Sequence, residues 1–159
     1  MSKRIQVTMN TSNPRLPVNV GQAYAAGLFD GEGCVHIAKQ KHAGCTRGHV
    51  FRLVVSISQN HLNTLIDFQS LVGVEGRIYH QTRQGTTNRD WYTLNYDGKA
   101  AGALLEVLKP FSIRKSSEMK VALEFQHECH ITTHFGAKGC PPDIWLRREA
   151  LYRKLRNLK

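Results

Sequence analysis

The nine residues Ala25-Ala26-Gly27-Leu28-Phe29-Asp30-Gly31-Glu32-Gly33 decide how this chain is read. They complete a segment, Asn19 to Phe29, in which Val20, Ala23, Tyr24, Gly27 and Leu28 recur at the spacing of a helix face, and Gly31 and Gly33 are read as its end. Ala23, Gly27 and Gly31 stand one turn apart, flanked by Ala26 and Asp30. They form a flat ridge of small residues on which a second helix can pack closely. Tyr24, Leu28 and Phe29 are then left for the core. Glu32 follows, beside the carbonyls that end the helix, where the macrodipole disfavours a carboxylate; a bound divalent cation would offset that cost.

Downstream, Cys34–Lys41 alternates in character, Gly44 and Gly48 mark a turn, and Val50–Ser58 carries Phe51, Leu53, Val55 and Ile57 on one side: two antiparallel strands. Asn60 is the expected N-cap of a helix bearing Leu62, Leu65, Ile66, Phe68, Leu71 and Val72, which Gly73 ends. Arg77–Thr82 and Trp91–Tyr96 read as a second hairpin across Gly85. Asp97 is the expected N-cap of a third helix with Ala101, Leu104, Leu105 and Leu108, stopped before Pro110. A helical segment around Ser116–Glu128, a loop at Gly136–Pro142 and a basic amphipathic helix from Asp143 complete the chain. The order α-β-β-α-β-β-α with C-terminal helices predicts an α+β fold with a single four-stranded antiparallel sheet, backed by helices on one face. Residues 1–18, polar and carrying Pro14 and Pro17, read as a flexible N-terminal arm, and 19–159 as one domain.

The 159 residues hold 22 Lys+Arg against 12 Asp+Glu, a net +10. That excess points to a polyanion. Hydrophobic residues at 41% allow one proper core, which excludes disorder. No apolar run approaches the roughly 20 residues of a membrane span, and Met1–Val20 has no secretory h-region, so a soluble intracellular protein is expected. Cys34, Cys45, Cys129 and Cys140 are too few and too scattered for a disulfide framework and read as reduced thiols. The positive charge is unevenly placed. No acidic residue lies between Glu32 and Asp67, whereas Lys39, Lys41, Arg47 and Arg52 do, with His36, His42, His49 and His61. Strand parity puts His36, Gln40, Arg52 and Ser56 of the first hairpin and Arg77, Tyr79, Gln81 and Thr93 of the second on the polar face. Such a face supplies both phosphate contacts and base-edge hydrogen bonds, so double-stranded DNA is the expected partner.

The nine-residue stretch, at a helix end and before a β-hairpin, resembles the signature of the LAGLIDADG homing endonucleases, with Ala25 where leucine is usual. The resemblance runs from about Gly21 to Phe125 and loosely through the C-terminal helix. It implies the αββαββα core of that family and roles for three residues. The acidic residue matching Glu32 binds the catalytic metal; glutamate in place of aspartate keeps the charge. Gln59, in Ser56-Ile57-Ser58-Gln59-Asn60, matches a glutamine that orders solvent near the scissile phosphate. Lys115, after Pro110-Phe111, matches a lysine of the same solvent network, with Arg114 its neighbour. Where relatives place a basic residue after the glutamine, this chain has His61 or Asn63. One motif and no internal repeat imply a homodimer packed through the motif helices and a long, near-palindromic target. The activity implied is Mg²⁺-dependent, or other divalent-cation-dependent, hydrolysis of one phosphodiester on each strand, in intron homing, in a bacterial cytoplasm or an organelle. The alternative is a catalytically inactive intron-RNA maturase or DNA-binding protein of the same fold. The presence of Glu32, Gln59 and Lys115 together favours the nuclease.

Two further features have plainer readings. His127, His130 and His134, with Cys129 and Cys140 nearby, have zinc-ligand chemistry. No CxxC pair accompanies them, so a polar helix face leading into a loop is preferred. The C-terminal helix sets Ile144, Leu151, Leu155 and Leu158 on one side; its Arg147, Arg148, Arg153, Lys154 and Arg156 read as a solvated face or as contacts to a DNA backbone.

Overall fold

The computed structural model describes residues 2–5, 18–45, 47–81, 91–129 and 139–159. The elements are β1 (Ser2–Ile5), α1 (Val18–Glu32), β2 (Gly33–Lys41), β3 (His49–Gln59), α2 (Leu62–Val72), β4 (Arg77–Gln81), β5 (Trp91–Asp97), α3 (Gly98–Leu108), α4 (Ser116–Cys129) and α5 (Pro142–Asn157). The strands make one antiparallel sheet in the order β1-β4-β5-β3-β2. Both expected hairpins are present and neighbour each other through β3 and β5. The sheet has five strands rather than four, because Ser2–Ile5, within the stretch read as a flexible arm, pairs with β4. So short a polar strand has no hydrophobic period of its own, and only the open edge of β4 specifies it. The remainder of that arm, 6–17, lies outside the described residues.

Alternation along the strands gives the sheet one apolar face. Val35 and Ile37 of β2, Phe51, Leu53, Val55 and Ile57 of β3, Ile78 of β4, and Leu94 and Tyr96 of β5 are all buried. The helices pack against this side and contribute Ala25, Ala26, Phe29, Leu65, Phe68, Leu104, Leu105, Leu108, Met119, Phe125, Leu151 and Leu155 to the same core. Phe29 and Phe68 join α1 to α2 at a ring separation of 6.5 Å. On α5, Trp145 and Tyr152 meet the Phe51 ring at 6.0 and 5.9 Å. Lys39 lies among those three rings and bonds Glu149 at 2.7 Å, tying α5 to β2.

Three local expectations are corrected. Helix α1 runs through Gly31 to Glu32 and passes straight into β2 at Gly33. A Cβ on Gly33 would lie 2.5 Å from the Phe29 carbonyl oxygen and 2.4 Å from its ring, so this junction admits only glycine. Tyr24 is 60% exposed; the 3.6-residue period sets it beside Val20, Gly27 and Gly31, while Ala25, Ala26 and Phe29 take the buried side. Finally, His61 rather than Asn60 is the N-cap residue of α2, and Asp97, at the N-cap of α3, makes no side-chain cap bond. Gly73 does end α2, in the left-handed conformation.

Candidate nucleic-acid interface and active site

The side of the sheet opposite the helices is polar and uncovered by any described helix. Cα pairing aligns its side chains in rows: Cys34, Ser56, Asn95 and Arg77 form one, and Ser58, Thr93, Tyr79 and Arg4 the next. All eight side chains expected on the polar face lie there: His36, Gln40, Arg52, Ser56, Arg77, Tyr79, Gln81 and Thr93. Gln40, Arg52 and Arg77 are exposed, and His36, Ser56, Tyr79 and Gln81 half-buried. Thr93 is the exception, being buried, with its hydroxyl 2.9 Å from that of Ser58. Ser58 therefore presents what the sequence assigned to Thr93. Arg4 joins the face from β1, and no signal in the sequence marks it because β1 itself is unmarked. Asp97 ion-pairs with Arg77 on this face. It was legible only as a helix cap.

At the end of α1 the backbone brings the three candidate catalytic residues to one side of the molecule. Glu32 is the last residue of α1 and is exposed. Gly33 pairs with Ile57, so Gln59, the half-buried last residue of β3, paired with Tyr92, lies at the end of the sheet where α1 arrives. Lys115 is connected through Asp30. The Asp30 carboxylate accepts hydrogen bonds from Ser112 Oγ (2.5 Å) and from the backbone N–H groups of Ile113 (2.7 Å), Arg114 (3.0 Å) and Lys115 (3.2 Å). Arg114 Nη1 donates in return to the Asp30 carbonyl at 2.9 Å. Burial raises the Asp30 pKa, but the four donated bonds outweigh it and hold the carboxyl below its ordinary range. Immediately after this clasp, Met119 N–H bonds the Lys115 carbonyl and α4 begins. The Lys115 side chain is buried, not solvent-facing. The sequence marks Asp30 only as a flank of the small-residue ridge; its position four residues after Ala26 on the inner edge of α1 is the available signal.

Among the described residues no hydrogen bond or ion pair engages the Glu32 carboxylate, and no group of three or more His, Cys, Asp or Glu side chains is gathered for a metal ion. At the end of α1 one chain thus offers one unengaged carboxylate, that of Glu32. That suits a hard cation such as Mg²⁺, which takes one or two carboxylates and completes its shell with water and phosphate oxygens. His130 and His134 of the zinc alternative lie outside the described residues, and His127 is engaged by Glu106 at 3.2 Å.

The outer face of α1 is open. Ala23, Gly27 and Gly31 are exposed, with Val20 51% exposed, and a Cβ on Gly27 or Gly31 would meet nothing within 4 Å. In α5, by contrast, the basic residues serve the fold: Arg147 pairs with Glu124 and Glu128, Lys154 with Glu124, and Arg153 with Glu149. That helix packs on the helix-covered side of β2, away from the polar face. At Cys34, on β2, the His36 imidazole, 4.0 Å from Sγ, draws the thiol pKa down to about 7 against the effect of burial, helped by the Lys159 ammonium at 3.3 Å.

No family model matches the chain, and no curated protein does either. The fold, however, matches solved structures of homing endonucleases. A crystal structure of I-CvuI with a DNA target and Mg, the DNA not cleaved, is similar with a TM-score of 0.72 at 18% identity, covering 89% of this chain and 83% of that one. The archaeal intron-encoded homing endonuclease I-Vdi141I, complexed with DNA, gives 0.70 at 18% identity over 90% and 86%. The LAGLIDADG meganuclease I-CpaMI, bound to uncleaved DNA, gives 0.58 at 16% identity, covering 87% of this chain but 51% of its own. The architecture is that of the LAGLIDADG homing endonucleases. No described helix is long and apolar enough to cross a membrane.

Proposed function

We propose that this protein is a site-specific double-strand DNA endonuclease of the LAGLIDADG type, acting as a homodimer on a long, near-palindromic target. The observation that carries the reading is the coincidence of two surfaces at one place: a polar sheet face able to follow a major groove, and Glu32 at the end of a helix whose small-residue face is open. Homodimerisation through Ala23, Gly27 and Gly31 would set two copies of Glu32 side by side and join two sheets into one binding surface. The match to I-CpaMI takes up 51% of that chain, which leaves room in it for a second unit of the same size.

Glu32 from each copy would hold Mg²⁺ or another divalent cation, which when bound supplies positive charge at the scissile phosphate and lowers the pKa of a water nucleophile. The chain's own residues do the rest. Gln59 orients solvent at the end of β3. Lys115 contributes positive charge toward the oxygens that become more negative as the bond breaks. Asp30 holds the Ser112–Lys115 turn against α1, so the lysine and the metal-binding carboxylate keep one spacing. On the sheet, Arg4 and Arg52 are suited to phosphate contacts, and His36, Gln40, Ser56, Ser58, Tyr79 and Gln81 to base edges. The test is Glu32→Gln: binding of duplex target is retained and cleavage in Mg²⁺ is abolished. Full cutting by that variant would overturn the assignment. Binding without cleavage by the unaltered chain would favour the inactive DNA-binding or maturase alternative.

A further inference from the structure

Asp97 is the sole carboxylate on the polar sheet face among the described residues. On a surface that meets phosphates, an unneutralised carboxylate repels the ligand. It stands at the N-cap position of α3, where a carboxylate ordinarily bonds the free N–H groups of the first turn, yet it makes no such bond and pairs with Arg77 instead. The strand register explains the reach: Arg77 is paired with Asn95, so Asp97 is its diagonal neighbour, two residues along β5. The arginine side chain is 43% exposed and the aspartate 24%, so the guanidinium stands out from the face with the carboxylate beneath it.

Such a pair is poorly suited to clamping a phosphate, because its net charge is close to zero. It is well suited to reading a base. Guanidinium has five N–H donors in a planar fork; the carboxylate occupies part of them and fixes the plane, and the remaining edge presents parallel donors. In a major groove the matching pair of acceptors is O6 and N7 of guanine. We infer that Arg77 and Asp97 form one base-reading unit that selects guanine at a single position of each half-site, with Arg77 touching the base and Asp97 acting as a positioning residue. This inference rests on the endonuclease reading above.

The experiment is selection of bound duplexes from a DNA library with a randomised core, using the full chain, Arg77→Lys and Asp97→Asn, each first shown by thermal unfolding to be folded. Lysine keeps the charge but loses the fork, and asparagine keeps the size but loses the carboxylate. The unaltered chain should enrich a motif with a guanine preferred by about 5- to 150-fold at one position per half-site. Both variants should flatten that position alone, and Asp97→Asn should in addition bind non-specific duplex more tightly. If both variants keep the guanine preference, or each alters a different position, the unit is refuted while the DNA reading stands. If the unaltered chain enriches no duplex sequence, the DNA reading fails and this inference fails with it.

Discussion

Replacing Asp30 by asparagine tests how the motif helix is coupled to the segment carrying Lys115. Oδ1 accepts from Ser112 Oγ and Lys115 N–H, and Oδ2 from Ile113 and Arg114 N–H. Turned with its NH₂ in the place of Oδ1, an asparagine amide still accepts from Ile113 and Arg114 and donates to the Ser112 hydroxyl, which can accept, so the Lys115 bond is lost outright and the other three become bonds of a neutral group. A hydrogen bond to a charged acceptor contributes about 1.5–3 kcal/mol and one to a neutral acceptor about 0.5–1.5, so one bond lost and three weakened by about 1 kcal/mol each amount to at most about 6 kcal/mol. Ile113 and Arg114 are exposed, so water takes over part of the lost bonding, and a net cost of about 2–3 kcal/mol is expected. For a domain of this size that is a fall of about 4–12 °C in Tm. Differential scanning calorimetry measures the first effect, and single-turnover cleavage at saturating DNA measures the second, a slower chemical step from a displaced Lys115. An unchanged Tm would refute the clasp. A lowered Tm with unchanged single-turnover cleavage would refute its link to Lys115.

Gly27→Leu should leave the far-UV circular dichroism spectrum unchanged, since its Cβ has open space and leucine is the better helix former, but should convert the proposed dimer to monomer in sedimentation velocity. A Gly27→Leu protein that stays dimeric would exclude this face of α1 as the interface. Glu149→Gln removes the carboxylate from the Lys39 ammonium that lies among the Phe51, Trp145 and Tyr152 rings, and should cost about 1–3 kcal/mol in chemical denaturation at neutral pH. The Lys39 hydrogen bond, outweighing burial and aided by Arg153, holds Glu149 below its ordinary value of 4.5. Its contribution is therefore complete above about pH 4.5 and lost as pH falls through the lower folded-state value, so the difference between the two proteins should shrink on acidification. A difference independent of pH would show that packing, not charge, is responsible. Lys115→Ala should slow cleavage with a modest loss of affinity; a large binding defect with normal cleavage at saturation would place its role elsewhere.

Period-two alternation was enough to place the eight polar side chains of the sheet, because β2 to β5 each bury one face and a slipped register would have exposed Phe51, Leu53, Val55 and Ile57. The small-residue run of α1 was equally plain. Tyr24 was not, because a helix with small residues on both sides has no strong apolar stripe, and the inward direction is set by where Phe68 and Leu71 of α2 stand. Gly21 faces that helix, with Leu71 Cδ2 2.8 Å from where its Cβ would be.

What the sequence determined by itself is therefore every element except β1, the two antiparallel hairpins and the polar face, all of which follow from periodicities within a few residues of one another. The tertiary structure alone decided where two carboxylates went. Asp97 stands at the N-cap of α3, where local rules offer backbone donors, whereas Asp30 stands in the last turn of α1, where the free backbone groups are carbonyls and no local donor is offered. In the folded chain Asp30 binds a turn more than eighty residues away in sequence, and Asp97 binds Arg77 on the neighbouring strand. A carboxylate takes the strongest donors within reach, and which donors are within reach is settled only when distant segments have been packed together.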